Sequence, residues 1–195
     1  MKNTHSNLIQ IKKKIFDEVS SKIQLKTNRF EILELGVGTG ENFDFFPTNS
    51  NITISDKTDK FVSFLNESIS KIKRKDINVS KLLILDANDM KSIESNSLDI
   101  VVHTFLLCSV KSIPKTLNEI YRILKLGGVC IFIEHSIDNR NSIRKLFQKA
   151  LETINCKFLD MEKEIRIGCY NELVINKFYP KKFYMIHLNP IIYGY

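Results

Sequence analysis

Apolar residues in this chain return in two rhythms that alternate from end to end. Leu8, Ile11, Ile15, Val19 and Ile23 recur every three or four positions, which predicts a helix over 8–23, with Lys12, Lys13 and Lys14 on its other face. Phe30, Ile32, Leu33 and Leu35 then crowd into a short run typical of a buried strand. The same dense signal returns at Ile52–Asp56, Leu82–Leu85, Ser97–His103 and Val129–Ile133. Between these runs, helical spacing reappears over 58–74, through Phe61, Leu65, Ile69 and Ile72, and over Ser112–Leu124, through Ile113, Leu117 and Ile120. Asn42–Phe46 predicts a short helix stopped by Pro47, and Lys125-Leu126-Gly127-Gly128 predicts a glycine break after the helix that precedes it. Further on, the pattern predicts helices over 140–154 and Met161–Ile167, and strands over Glu172–Phe178 and Leu188–Tyr195. Strands alternating with helices predict an α/β fold: a doubly wound, mostly parallel sheet of about seven strands with helices on both faces. No repeat, linker or low-complexity tract divides residues 1–195, so one domain is expected, with 1–28 as an N-terminal helical segment.

Composition narrows the class. A chain of 195 residues, 43% hydrophobic, is long and apolar enough for a real core. No run approaches the ~18 apolar residues of a membrane span. The opening Met1–Asn7 is polar and lacks a signal-peptide core, so an intracellular, cytoplasmic protein is expected. Cys108, Cys130, Cys156 and Cys169 lie far apart, and His5, His103, His135 and His187 are dispersed, so neither a disulfide framework nor a metal site is expected. The net charge of +7 sits on the flanks: residues 1–29 hold seven Lys/Arg against two acids, and residues 30–140 hold thirteen against fifteen. The excess is lysine, with no arginine patch interleaved with aromatics, so there is no strong nucleic-acid signal. The thin apolar stripe over 8–23 leaves peripheral membrane contact open and favours a helix that covers the sheet edge or a ligand mouth.

The chemistry gathers where strands end. The first strand runs into Gly36-Val37-Gly38-Thr39-Gly40, where missing side chains let the backbone turn sharply and a ligand approach. A helix is expected to follow, its first amides facing that ligand. Glu34 precedes the first glycine by two residues. Asp56 follows Gly36 by twenty, and Asp86 closes the third strand. A lone Gly-x-Gly-x-Gly is satisfied by an ordinary tight turn; three acid-ended strands in βαβ register describe a nucleoside-type ligand along the carboxyl edge. Asp56 would accept both ribose hydroxyls, and Asp86 with Ala87 and Asn88 would meet the base.

Leu33-Glu34-Leu35-Gly36-Val37-Gly38-Thr39-Gly40 resembles motif I of the class I S-adenosylmethionine (SAM)-dependent methyltransferases, with Asp56 and Asp86 at that family's second and third acidic positions. Ser97–Val102 and Arg122–Gly128 are similar to its later motifs. Asn42-Phe43, Asp89-Met90, Leu107-Cys108-Ser109-Val110-Lys111, Glu134-His135 and the terminal Ile192-Tyr193-Gly194-Tyr195 resemble, more closely, the methyltransferase-like seven group of thiol methyltransferases. The resemblance implies a Rossmann-like fold, SAM as cofactor with S-adenosylhomocysteine as product, and methyl transfer to a small thiol. It implies cofactor-binding roles for Glu34, Gly36, Gly38, Gly40, Asp56, Asp86, Ala87 and His103. At the end of the fourth strand, His103 is either the base for the thiol or a ring packed against the methionine end of the cofactor. Cys108, His135 and Tyr193 are candidates to line the acceptor pocket, and 155–187, which matches the group poorly, is the candidate substrate-side region. Animal members carry a hydrophobic N-terminal anchor; the residues here show none, so that group's membrane location is not expected. Three alternatives stay open: methylation of oxygen or nitrogen on a small metabolite or RNA, a nicotinamide-dependent oxidoreductase, and a non-catalytic SAM-binding domain. Against the oxidoreductase, the loop is Gly-x-Gly-x-Gly rather than Gly-x-Gly-x-x-Gly, and Glu34 stands before it.

Overall fold

A computed structural model describes residues 2–23, 29–139, 157, 159–168, 172–179 and 190–195. Helix α1 spans Lys2–Lys22, six residues earlier in its start than the apolar spacing marks. Strand β1 (Phe30–Leu35) and strand β2 (Ser50–Asp56) pair in parallel, Ile32 opposite Ile52 and Leu35 opposite Ser55. Helix α2 (Val62–Ser70) is shorter than the expected 58–74, because i→i+3 bonds from Lys71 and Ile72 tighten and close its end. The short strands β3 (Ile77–Val79) and β4 (Leu83–Ile84) both pair with β2. Strand β5 (Leu98–Thr104) lies parallel to β1 on its other side. Helix α3 (Ile113–Ile123) passes directly into strand β6 (Leu124–His135). Helix α4 (Met161–Arg166), capped by the Asp160 side chain, and strands β7 (Ile175–Phe178) and β8 (Ile191–Gly194) follow.

The eight described strands form one sheet in the order β3-β2-β1-β5-β6-β8-β7, with β4 also on β2. The pairings from β3 to β6 are parallel, and β8 enters antiparallel between β6 and β7. Alternate residues of each central strand feed two cores. Leu33, Leu35, Val101, Cys130 and Phe132 meet α3 and α4 on one face. Ile32, Ile54, Ile100, Val102 and Ile131 meet Ile15, Phe16 and Val19 of α1 and Leu65 of α2 on the other. The expected doubly wound α/β layering is therefore present, with one strand more than the count of seven. The extra strand, Ile77–Val79, is only three residues long, too short to stand out in the sequence.

Two local expectations are corrected. Residues 42–46 form successive turns rather than a helix: Gly40 N–H donates to the Val37 carbonyl and Phe45 N–H to that of Asn42, each at 2.9 Å. Six residues between Gly40 and Pro47 leave little room for an i→i+4 ladder, and Phe43 and Phe46 turn into the core instead. Gly127 and Gly128 do not separate helix from strand. They form a bulge inside β6, where the register to β5 shifts between Leu98 and Ile100 and Gly127 has φ +81°. The helix expected over 140–154 lies outside the described residues. Among the described residues no helix is long and apolar enough to cross a membrane.

Candidate active site

From β1 the chain winds outward to β2 and β3, then returns to lay β5 on the opposite side of β1. The crevice above the carboxyl ends of β1 and β5 is thus a topological switch point, where open α/β sheets bind ligands. The glycine loop rises from β1 into this crevice. Gly36, Gly38 and Gly40 have φ of +69°, +53° and +82°, a region that side chains disfavour. Val37 N–H donates to the Ser55 carbonyl at 2.9 Å, and Gly38 N–H donates to Asp56 Oδ2 at 3.2 Å, so the loop is pinned to the end of β2.

Two adjoining cavities share Gly36, Thr104 and Phe105. The smaller, about 190 Å³, is lined by Asp56, Asp86, Ala87 and Lys111 among others. Asp86 Oδ1 accepts from the Asn88 amide at 2.9 Å, and Lys111 Nζ lies 3.9 Å from Asp86 Oδ2. The larger cavity, about 440 Å³, is lined by Glu34, Gly38 and Asn42 on the sheet side and by Leu8, Ile9 and Lys12 of α1. Asn42 Nδ2 donates to Glu34 Oε1 at 2.7 Å and to Thr104 Oγ1 at 3.2 Å. Glu34 and Asn42 are each 2% exposed. Glu34 Oε2 and Asn42 Oδ1 have no hydrogen-bond partner, leaving one buried acceptor on each of two hydrogen-bonded side chains. Burial, partly offset by Asn42 and Lys12, pushes the Glu34 carboxyl up to about 7.

Sequence-predicted residues fall into two groups. Glu34, Gly36, Gly38, Asp56, Asp86 and Ala87 line the paired cavities. Gly40 instead shapes the loop from within, since a Cβ there would strike the Phe43 ring. The others lie outside both linings. His103 is 1% exposed and points to the α3 face, where its Nδ1 lies 2.7 Å from Glu134 Oε1. Burial lowers its pKa, but Cys130 and Glu134 outweigh that and raise it to about 10. The same Glu134 oxygen accepts from the Leu106 and Leu107 amides at 3.0 and 3.1 Å. Cys108 Sγ donates to the Phe105 carbonyl at 3.6 Å, and the His135 ring stacks on Phe105 at 4.0 Å between centroids. Tyr193 sits in β8 opposite Ile133. So His103, Cys108 and His135 converge on the segment after β5, where Phe105 has φ +55° and faces both cavities.

The sequence reading missed Lys12, Thr104 and Phe105 and gave Asn42 no chemical role. Lys12 could have been noticed. It falls four residues after Leu8 and three before Ile15, at the border of the apolar stripe, whereas Lys13 and Lys14 are exposed. It is 5% exposed, donates to the Glu41 carbonyl at 3.2 Å and lies 5.5 Å from the Phe45 ring centroid. Burial lowers its pKa, opposed by Glu34 and Glu41.

A mostly parallel sheet with a glycine loop at its switch point, an orphaned pair of acceptors beside that loop, and acids at the end of β2 and just after β4 makes this a doubly wound α/β domain with a ligand crevice. Residues 33–132 match the methyltransferase domain family, and the chain belongs to it. Over 141 residues the chain is 34% identical to rat (Rattus norvegicus) thiol S-methyltransferase TMT1B, covering 72% of this chain and 57% of that protein. It is 31% identical to human (Homo sapiens) thiol S-methyltransferase TMT1A over 126 residues, covering 65% and 51%. The chain thus spans little more than half the length of these curated relatives. A SAM-dependent methyltransferase from Methanosarcina mazei shares the fold with a TM-score of 0.67 at 16% identity, covering 91% of this chain and 96% of that one.

Proposed function

We propose that this chain is a SAM-dependent methyltransferase whose acceptor is a small thiol. The observation that carries the cofactor assignment is the pair of buried, unpartnered acceptors, Glu34 Oε2 and Asn42 Oδ1, at the edge of the glycine loop. They suit an ammonium, which brings several N–H donors and a positive charge to a carboxylate. Gly36 and Gly38 let the backbone close on the amino-acid end, and Gly40 keeps the turn in shape. Asp56 takes the ribose hydroxyls, with its Gly38 and Thr58 contacts holding the carboxylate in place. Asp86 and Ala87, on the wall of the smaller cavity, would line the base. The product, S-adenosylhomocysteine, keeps the same three handles.

When bound, SAM supplies a methyl carbon already activated by its sulfonium. The chain's own task is then to align the acceptor and exclude water. Leu8, Ile9, Phe45 and Phe105 give the larger cavity an apolar wall suited to a small thiol. A thiol with a pKa near ~8.5 is partly ionised at neutral pH, so no dedicated base is required. We assign His103 to positioning: paired with Glu134, it backs the oxygen that holds the amides of Leu106 and Leu107. Cys108 and His135 support the same segment through Phe105. The thiol acceptor follows the printed activity of the TMT1A and TMT1B relatives. A radiolabelled methyl-transfer assay across an alkyl thiol, an amine, a phenol and an RNA tests it. Methylation of the thiol is expected; methylation of another acceptor with none of the thiol would overturn the acceptor assignment.

A further inference from the structure

We propose that Lys12 of α1 binds the carboxylate of the cofactor's amino-acid end, so that the N-terminal helix is part of the cofactor site. This rests on the cofactor half of the function proposed above. A buried ammonium needs a compensating charge or a full set of acceptors. The Lys12 ammonium has one backbone carbonyl, from Glu41, and the face of Phe45. Neither carries a net negative charge, and the Glu41 carboxylate, like that of Glu34, acts on Lys12 only through space. Glu34 is on the same cavity wall, but its Oε1 is engaged by Asn42.

The larger cavity therefore presents opposite demands at two places. Glu34 and Asn42 offer unpartnered acceptors, and Lys12 offers a buried cation that, among the described residues, no carboxylate contacts directly, Glu34 and Glu41 acting on it only at longer range. An α-amino carboxylate carries both complements two bonds apart: ammonium for Glu34 and Asn42, carboxylate for Lys12. A neutral acceptor satisfies only one of the two demands. The helix that carries Lys12 also brings Leu8 and Ile9 to the same cavity, while Ile15, Phe16 and Val19 anchor it to the sheet. Engagement of Lys12 would thus fasten the first turns of α1 over the ligand.

Calorimetric titration of the full chain with two ligands tests this: S-adenosylhomocysteine, and its decarboxylated analogue, which keeps the amine and the adenosine. Lys12→Met is expected to weaken S-adenosylhomocysteine about tenfold or more, as for loss of a charged hydrogen bond. It should leave the decarboxylated analogue within about twofold, and Lys12→Arg should restore most of the lost affinity. Equal weakening of both ligands would overturn the proposal and make Lys12 a structural residue. Unchanged affinity for S-adenosylhomocysteine would overturn it too, and would leave Lys12 to the acceptor. If the wild-type chain bound neither ligand, the cofactor assignment itself would fall, an outcome distinct from any difference between variants.

Discussion

Glu34 is held in its fold at some expense to stability, and that cost has a measurable sign. Its folded pKa of about 7 lies above the ordinary 4.5, so between those values the native protein holds a proton that the unfolded chain releases. Stability from this group is therefore greatest at low pH and falls as pH rises through about 7, by on the order of 3 kcal/mol. In urea denaturation, Glu34→Gln is expected to lose less stability than wild type between pH 5 and pH 8, by about 2 kcal/mol. Equal losses would mean the carboxylate is not penalised by burial. Ligand binding should have the opposite slope, because an ammonium pairs with the ionised form: wild-type affinity for S-adenosylhomocysteine should rise with pH up to about 7, and the variant should lack that rise. Asp56→Ala is expected to weaken the same ligand by ~1–3 kcal/mol in calorimetry, the loss of charged hydrogen bonds to ribose. These acids were legible from the sequence because each stands where an apolar run stops. The surroundings of Lys12 were not, since Glu34, Glu41 and Phe45 reach it only through the fold.

The segment after β5 shows how a loop is held in an unusual backbone conformation. Phe105, at φ +55°, is tied by its amide to the Ile133 carbonyl at 2.8 Å, while Glu134 secures the next two amides. Glu134→Ala would strand the His103 ring and both amides in an apolar interior, and is expected to cost about 3–5 kcal/mol. Urea denaturation gives that number, and a loss below about 1 kcal/mol would show that the cluster holds nothing in place. Gly194 in β8 offers a second check. A Cβ there would run into the backbone oxygen of Val174, so Gly194→Ala should lower stability by about 1–3 kcal/mol through disrupted β7–β8 pairing. An unchanged melting temperature would contradict that packing. The long elements were readable because burial repeats along them. The turns over 42–46 and the bulge at Gly127-Gly128 were not, because they follow from aromatic anchoring and strand register, which are non-local.

Over the whole molecule, the alternation of strands and helices was enough to expect a parallel, doubly wound sheet. It did not reveal that β8 slots between β6 and β7, since strand order depends on pairings distant in sequence. The order matters to function because it sets β1 beside β5 and opens the crevice at the glycine loop. Helix α1 then closes one wall of that crevice with Leu8, Ile9 and Lys12. On the function proposed above, this crevice is built for SAM rather than for a dinucleotide cofactor. The most direct measurement is a thermal-shift titration of the unmodified chain with S-adenosylhomocysteine and, in parallel, with NAD. At a hundredfold excess over its dissociation constant, a ligand of the native state adds about 2.7 kcal/mol. A clear upward shift is expected with S-adenosylhomocysteine and none with NAD; stabilisation by NAD alone would contradict the account.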